Sequence, residues 1–120
     1  MIAKLKQLLN FDNLAFHKHP SCDKAVMAQL NMGDITISVV ANTLDGNSLY
    51  GHVDDDEYEV AMWKKGDSDM IPLGAGDDVL AGQSPAQVSK HMRDAQIDGD
   101  AWVDLLRKLR KDFRDELNLD

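Results

Sequence analysis

The sequence predicts an α+β domain, residues 1–120 as one unit, with a small antiparallel sheet of about four strands paired as two hairpins. One helix is expected before the sheet and two after it. Three observations lead there. Apolar residues alternate with period two at Val26/Ala28/Leu30, Ile35/Ile37/Val39 and Tyr58/Val60/Met62, the period of a half-buried strand. Ser84-Pro85-Ala86-Gln87 reads as a helix start, and Trp102, Leu105, Leu106, Leu109, Phe113 and Leu117 recur at helical spacing. Strands grouped together with helices at the ends indicate α+β rather than a parallel sheet.

Taken in order, Ile2, Leu5, Leu8 and Leu9 with Lys4, Lys6 and Gln7 between them predict a short amphipathic helix. Phe11, Leu14 and Phe16 follow, and Pro20 then stops any regular element. The first strand begins at Ala25. Asn31-Met32-Gly33-Asp34 supplies its turn, and the β-branched run from Ile35 to Val40 supplies the second strand. Asp45 through Asp56 reads as loop. Glu57 to Lys65 alternates again, Gly66 to Asp69 is a turn, and Met70-Ile71-Pro72-Leu73 forms a fourth strand, placed at an edge because proline cannot donate to a ladder. Ser at the N-cap, Pro at the first helical position and Gln three residues after the cap open the penultimate helix. Val88, His91, Met92 and Ala95 line one side of it, and Asp98-Gly99-Asp100 ends it and caps the last helix.

A hydrophobic share of 43% argues against disorder, and an aromatic share of 6% leaves the core to aliphatic residues. The single cysteine, Cys22, excludes an internal disulfide, and no apolar run is long enough to cross a bilayer. The expected address is the cytoplasm.

Charge is distributed very unevenly. Asp45 to Asp78 holds ten acids against Lys64 and Lys65, a difference of −8 that equals the net charge of the whole chain. Such a stretch attracts cations or a basic partner and repels nucleic acid and anionic membrane. The partner-binding residues expected from it are Asp54, Asp55, Asp56, Glu57, Glu59, Asp77 and Asp78. A sharper version is a DNA mimic, which needs carboxylates spread at phosphate-like intervals.

Catalytic and cofactor patterns are missing. His17, His19, Cys22 and Asp23 form the one cluster with metal-ligand residues, but they lack a paired Cys-x-x-Cys or a distant second set. Asp54-Asp55-Asp56 lacks the spacing of a calcium loop. Neither Ser38 nor Ser48 sits in a Gly-x-Ser-x-Gly elbow, and Gly74-Ala75-Gly76 lacks the later glycine or lysine of a phosphate loop. No catalytic residue, metal or cofactor is therefore expected. The alternative is a small metal-dependent enzyme using His17, His19 and nearby carboxylates. The basic residues of the last helix are interleaved with acids and read as a solvated face. Trp102, Leu106, Leu109 and Phe113 read as core, and the same stripe would also serve as a homodimer seam.

The middle of the chain carries Asn31 and Gly33, Ile37-Ser38-Val39-Val40, Gly46, Tyr58-Glu59-Val60-Ala61, Pro72, Asp77-Asp78-Val79-Leu80, then Ser84 and Val88. In this order they resemble a family of small proteins encoded by tailed phages and prophages, over about residues 25–95. The chain departs from that pattern by extra residues between Pro72 and Asp77 and by long additions at both ends. The resemblance implies a phage or prophage accessory protein and carries over no catalytic residue. The expected function is non-enzymatic binding of a basic host or viral surface by the acidic face.

Overall fold

The computed structural model describes residues 8–43, 51–74 and 76–117. Five strands, β1 (His17–His19), β2 (Cys22–Asn31), β3 (Ile35–Asn42), β4 (Tyr58–Lys64) and β5 (Leu80–Gln83), form one antiparallel sheet in the order β1-β2-β3-β4-β5. A helix, α1 (Pro85–Leu117), follows. The α+β class and the antiparallel sheet are as expected, while the number and limits of the elements differ.

The β2–β3 hairpin matches the period-two reading. Its turn is built by Asn31, whose side-chain oxygen accepts from the Gly33 N–H at 2.8 Å, and by Gly33 at φ 105°, a conformation that costs glycine little. Pairing puts Ala28 opposite Val39 and Val39 opposite Val60, so Ala28, Val39 and Val60 share one sheet face and are fully buried there. Ile35, Ile37 and Met62 extend that face, and Val88, Met92, Ala95 and Val103 of α1 cover it.

Two expectations need correction, and a third lies mostly outside the described residues. The predicted strand at Met70–Leu73 is reduced to one bridge, Trp63 opposite Met70. Ile71 N–H still reaches the Met62 carbonyl at 2.8 Å, but Pro72 has no N–H to continue the ladder, and the chain turns back at Leu73, which donates to Ile71 at 2.9 Å. The place beside β4 goes to β5 instead. The second correction is β1, a three-residue edge strand joined to β2 by a tight turn at Pro20 and Ser21, so proline ends the strand rather than excluding one. Thirdly, the opening helix falls largely on residues 1–7, outside the described residues. Leu8 and Leu9 are not helical, and a single 3₁₀ turn, Phe11–Asn13, follows them.

The two expected C-terminal helices are arms of α1. Ser84 caps the start reciprocally: its Oγ accepts from Gln87 N–H at 3.2 Å, and Gln87 Oε1 accepts from Ser84 N–H at 2.8 Å. At Asp98 the backbone leaves the helical region (φ −152°, ψ 79°), and the Asp98 carboxylate accepts from Ala101 N–H at 3.2 Å. That is a kink with its own cap, which lets the second arm take a different direction across the sheet.

The second arm is held by three ion pairs to the β4–β5 connection and its approach: Lys64 with Asp100 at 2.6 Å, Arg107 with Asp67 at 2.6 Å and Arg110 with Asp78 at 2.9 Å. Arg110 is the most enclosed, and its guanidinium also donates to the Gly74 carbonyl at 2.6 and 3.2 Å. The hydrogen bond to Asp100 is the main cause that raises the Lys64 pKa above its ordinary value.

Candidate partner-binding surface

The acidic stretch divides into two parts with different surroundings. After β3, Asn42 is fully buried and its N–H donates to the Gly51 carbonyl at 2.7 Å, drawing the returning chain against the sheet. A side chain at Gly51 would place its Cβ 2.2 Å from the Glu57 carbonyl oxygen, so only glycine allows the two backbones to pass. Between them Val53–Asp55 forms a 3₁₀ turn, and Asp56 ends it in the left-handed region at φ 52°. Asp54, Asp55, Asp56 and Glu57 are thereby brought together and exposed. Among the described residues no lysine or arginine forms an ion pair with any of the four.

Asp56 has a second task. Burial first, and then the nearby Asp56 carboxylate, hold the Tyr58 hydroxyl above the usual phenol range, so Tyr58 keeps its proton. Tyr58 is only 5% exposed and packs edge-on to Phe11 at 5.0 Å and tilted to Phe16 at 5.6 Å. Glu59 points from the opposite sheet face, opposite Val40, with Met27 beyond it. Desolvation there raises its pKa above 4.5.

The structure does not bring Asp77 and Asp78 to this turn. They lie on the β4–β5 connection: Asp77 is exposed, its carbonyl accepting from Gly74 N–H at 2.9 Å, and Asp78 is neutralised by Arg110. Asp78 lines a broad groove of about 700 Å³ with Asp69, Arg107, Arg110, Lys111, Arg114 and Asp115. Most of its bases are already engaged, Arg107 by Asp67 and Lys111 by Asp115.

Sequence reasoning missed an apolar pocket beside the acidic turn. It measures about 380 Å³ and is lined by Phe16, Val26, Thr43, Val53, Asp54 and Tyr58. The available signal is Val53, an apolar residue set directly before Asp54 in a stretch that otherwise reads as loop.

The metal-ligand cluster does not assemble. His17 Nδ1 lies 3.0 Å from the Lys18 carbonyl, and His19 Nδ1 accepts from Ser21 N–H at 3.0 Å. Among the described residues no group of three or more His, Cys, Asp or Glu stands close enough to hold an ion. The helix stripe is split as well. Trp102 and Leu106 pack on the chain's own core, whereas Leu109 is 53% and Phe113 36% exposed, in line with exposed Leu105 and Leu117. No helix among the described residues is long and apolar enough to cross a membrane.

Comparison of the chain with family models, with curated proteins and with solved structures yields no match.

Proposed function

We propose that the protein is a non-enzymatic binding module of phage or prophage type, which engages a basic surface on a host or viral protein in the cytoplasm through Asp54, Asp55, Asp56 and Glu57. One observation carries this reading: four adjacent carboxylates are held in one exposed turn without a lysine or arginine partner among the described residues, while Asp67 and Asp78 of the same stretch are neutralised internally. Holding like charges together costs stability, and a basic partner would relieve that cost. The compact turn suits a protein surface better than an extended row of phosphate mimics. Glu59 deepens the negative potential from the neighbouring strand. The metal-enzyme alternative draws no support from His17 and His19 as they are placed.

The test is the triple variant Asp54→Asn, Asp55→Asn, Asp56→Asn, measured against an immobilised peptide of mixed lysine and arginine. The variant should stay folded, since Asp54 and Asp55 are exposed and asparagine tolerates the left-handed conformation at 56. Association of the unmodified protein should slow sharply with salt, because steering is screened beyond about 8–10 Å at ~0.1–0.15 M. The variant should associate more slowly and respond less to salt. An unchanged rate and an unchanged salt response would reduce the turn to a solubilising surface.

A second reading concerns self-association. Leu105, Leu109, Phe113 and Leu117 lie four residues apart along one exposed line of α1, the spacing of a helix-pairing stripe. A homodimer would use this line, with Trp102 and Leu106 remaining in the core. Leu109→Glu should then shift the sedimentation mass toward the monomer; a concentration-independent monomer in the unmodified protein would rule the seam out.

A further inference from the structure

The pocket beside the acidic turn has a composition that specifies its occupant more narrowly than charge does. Four of its six lining residues, Phe16, Val26, Val53 and Tyr58, offer apolar surface, and the other two are Thr43 and the exposed, acidic Asp54. The walls are preorganised: Phe11, Phe16 and Tyr58 form a three-ring cluster with centroids 5.0–5.8 Å apart. Asp54 makes no ion pair with a base among the described residues, and Val53 beside it is 38% exposed.

A purely apolar side chain would fill the walls but would strip water from Asp54 without replacing its hydrogen bonds. An anion would meet four carboxylates. A long side chain with an aliphatic stem and a cationic head satisfies both parts, the stem on the apolar surface and the head at Asp54. Between the two natural candidates, the guanidinium is planar, weakly hydrated, able to bond a carboxylate through two N–H groups and able to stack on aromatic rings, none of which an ammonium does as well.

We propose that this pocket receives an arginine side chain of a basic polypeptide partner, with its stem against Val26, Val53, Phe16 and Tyr58 and its guanidinium on Asp54. The inference rests on the acidic-turn reading above and narrows it: the turn steers, and the pocket selects arginine over lysine.

The experiment titrates the full chain with a tetra-arginine peptide and, separately, with a tetra-lysine peptide of equal charge, following backbone amide resonances. Tetra-arginine should bind about fivefold more tightly than tetra-lysine, the increment of one guanidinium–aromatic contact, with the largest shifts at Val26, Val53 and Tyr58. Val53→Trp fills the pocket and keeps every charge; it should abolish the preference for arginine. Asp54→Asn, which keeps the shape, should weaken tetra-arginine roughly tenfold, whereas Asp34→Asn, which removes the same charge at the far turn of the β2–β3 hairpin, should have a much smaller effect. Equal binding of the two peptides, together with indifference to Val53→Trp, would overturn the pocket while leaving the acidic turn as a general basic-surface site. Failure of both peptides to bind at low salt would overturn the acidic-turn reading and the pocket with it.

Discussion

Gln96 and Leu9 close a two-way hydrogen-bonded pair across 87 residues of sequence: the Gln96 amide nitrogen donates to the Leu9 carbonyl at 2.8 Å, and its oxygen accepts from the Leu9 N–H at 2.8 Å. The second amide proton goes to the Met92 carbonyl at 2.9 Å. Ser89 adds a parallel link by accepting from Phe11 N–H at 3.0 Å. A segment whose one regular element is the Phe11–Asn13 3₁₀ turn is thus fastened to the first arm of α1, and Leu9, Phe11, Leu14 and Phe16 reach the core from it.

Replacing Gln96 by leucine keeps the bulk and leaves both backbone groups of Leu9 without their side-chain partner. The expected loss in urea unfolding is about 1–3 kcal/mol. Gln96→Glu keeps the acceptor and removes the donors, so its loss should be comparable or larger.

Arg110 is the principal tie between the second arm and the β4–β5 connection. Arg110→Met retains much of the apolar stem but abandons Asp78 and the Gly74 carbonyl, and should cost roughly 1–3 kcal/mol. Arg110→Lys should recover only part of this, because an ammonium cannot serve Asp78 and Gly74 from a planar fork. Equal stability of the lysine variant and the unmodified protein would show that charge alone holds the arm.

His91 makes the fold sensitive to mild acid. Its ring is half-buried and meets Gln83 Oε1 at 2.8 Å; burial is the main cause that lowers its pKa below 6.5, with Lys90 adding to it and Asp94 opposing it. The folded state therefore keeps the neutral ring while the unfolded chain takes up a proton first as pH falls through 6.5. The His91 contribution is undiminished above that value and declines below it until the folded ring also protonates. His91→Gln should flatten the fall in melting temperature between pH 7 and pH 5 relative to the unmodified protein.

Glu59 acts in the opposite sense. With its folded pKa above 4.5, its charge is unfavourable to the folded state at neutral pH, and that penalty vanishes as pH drops through the raised value toward 4.5. Glu59→Gln should raise the melting temperature at neutral pH and confer no advantage below pH 4.5. A lower melting temperature at neutral pH would mean that the carboxylate has a stabilising partner.

The β2–β3 hairpin, β4 and the Ser84 cap were legible because each rests on local signals: alternation, Asn31 with Gly33, and the Ser-Pro-Ala-Gln start. Strand β5 was not, since Leu80-Ala81-Gly82-Gln83 has two small residues and no alternation; it forms because Pro72 halts the nearer segment and β4 still needs a neighbour. Asp54 to Glu57 could be read as one acidic cluster from adjacency alone. The neutralisation of Asp78 by Arg110 and the pocket formed by Phe16, Val26, Val53 and Tyr58 depend on contacts between residues distant in sequence, which no local pattern encodes.

Because each strand pairs with its neighbour in sequence, the sheet is able to form in the order in which it is synthesised, without long-range crossovers. Its cover comes last. Ile37, Val39, Val60 and Met62 are made before Val88, Met92 and Val103, so a nascent sheet has an open apolar face until α1 follows. At roughly 5–20 residues per second, the twenty residues from Gln83 to Val103 take about 1–4 s. During that interval nascent chains repel one another through the same acidic run that the finished protein displays, and repulsion opposes the edge-to-edge aggregation to which an uncovered sheet is prone.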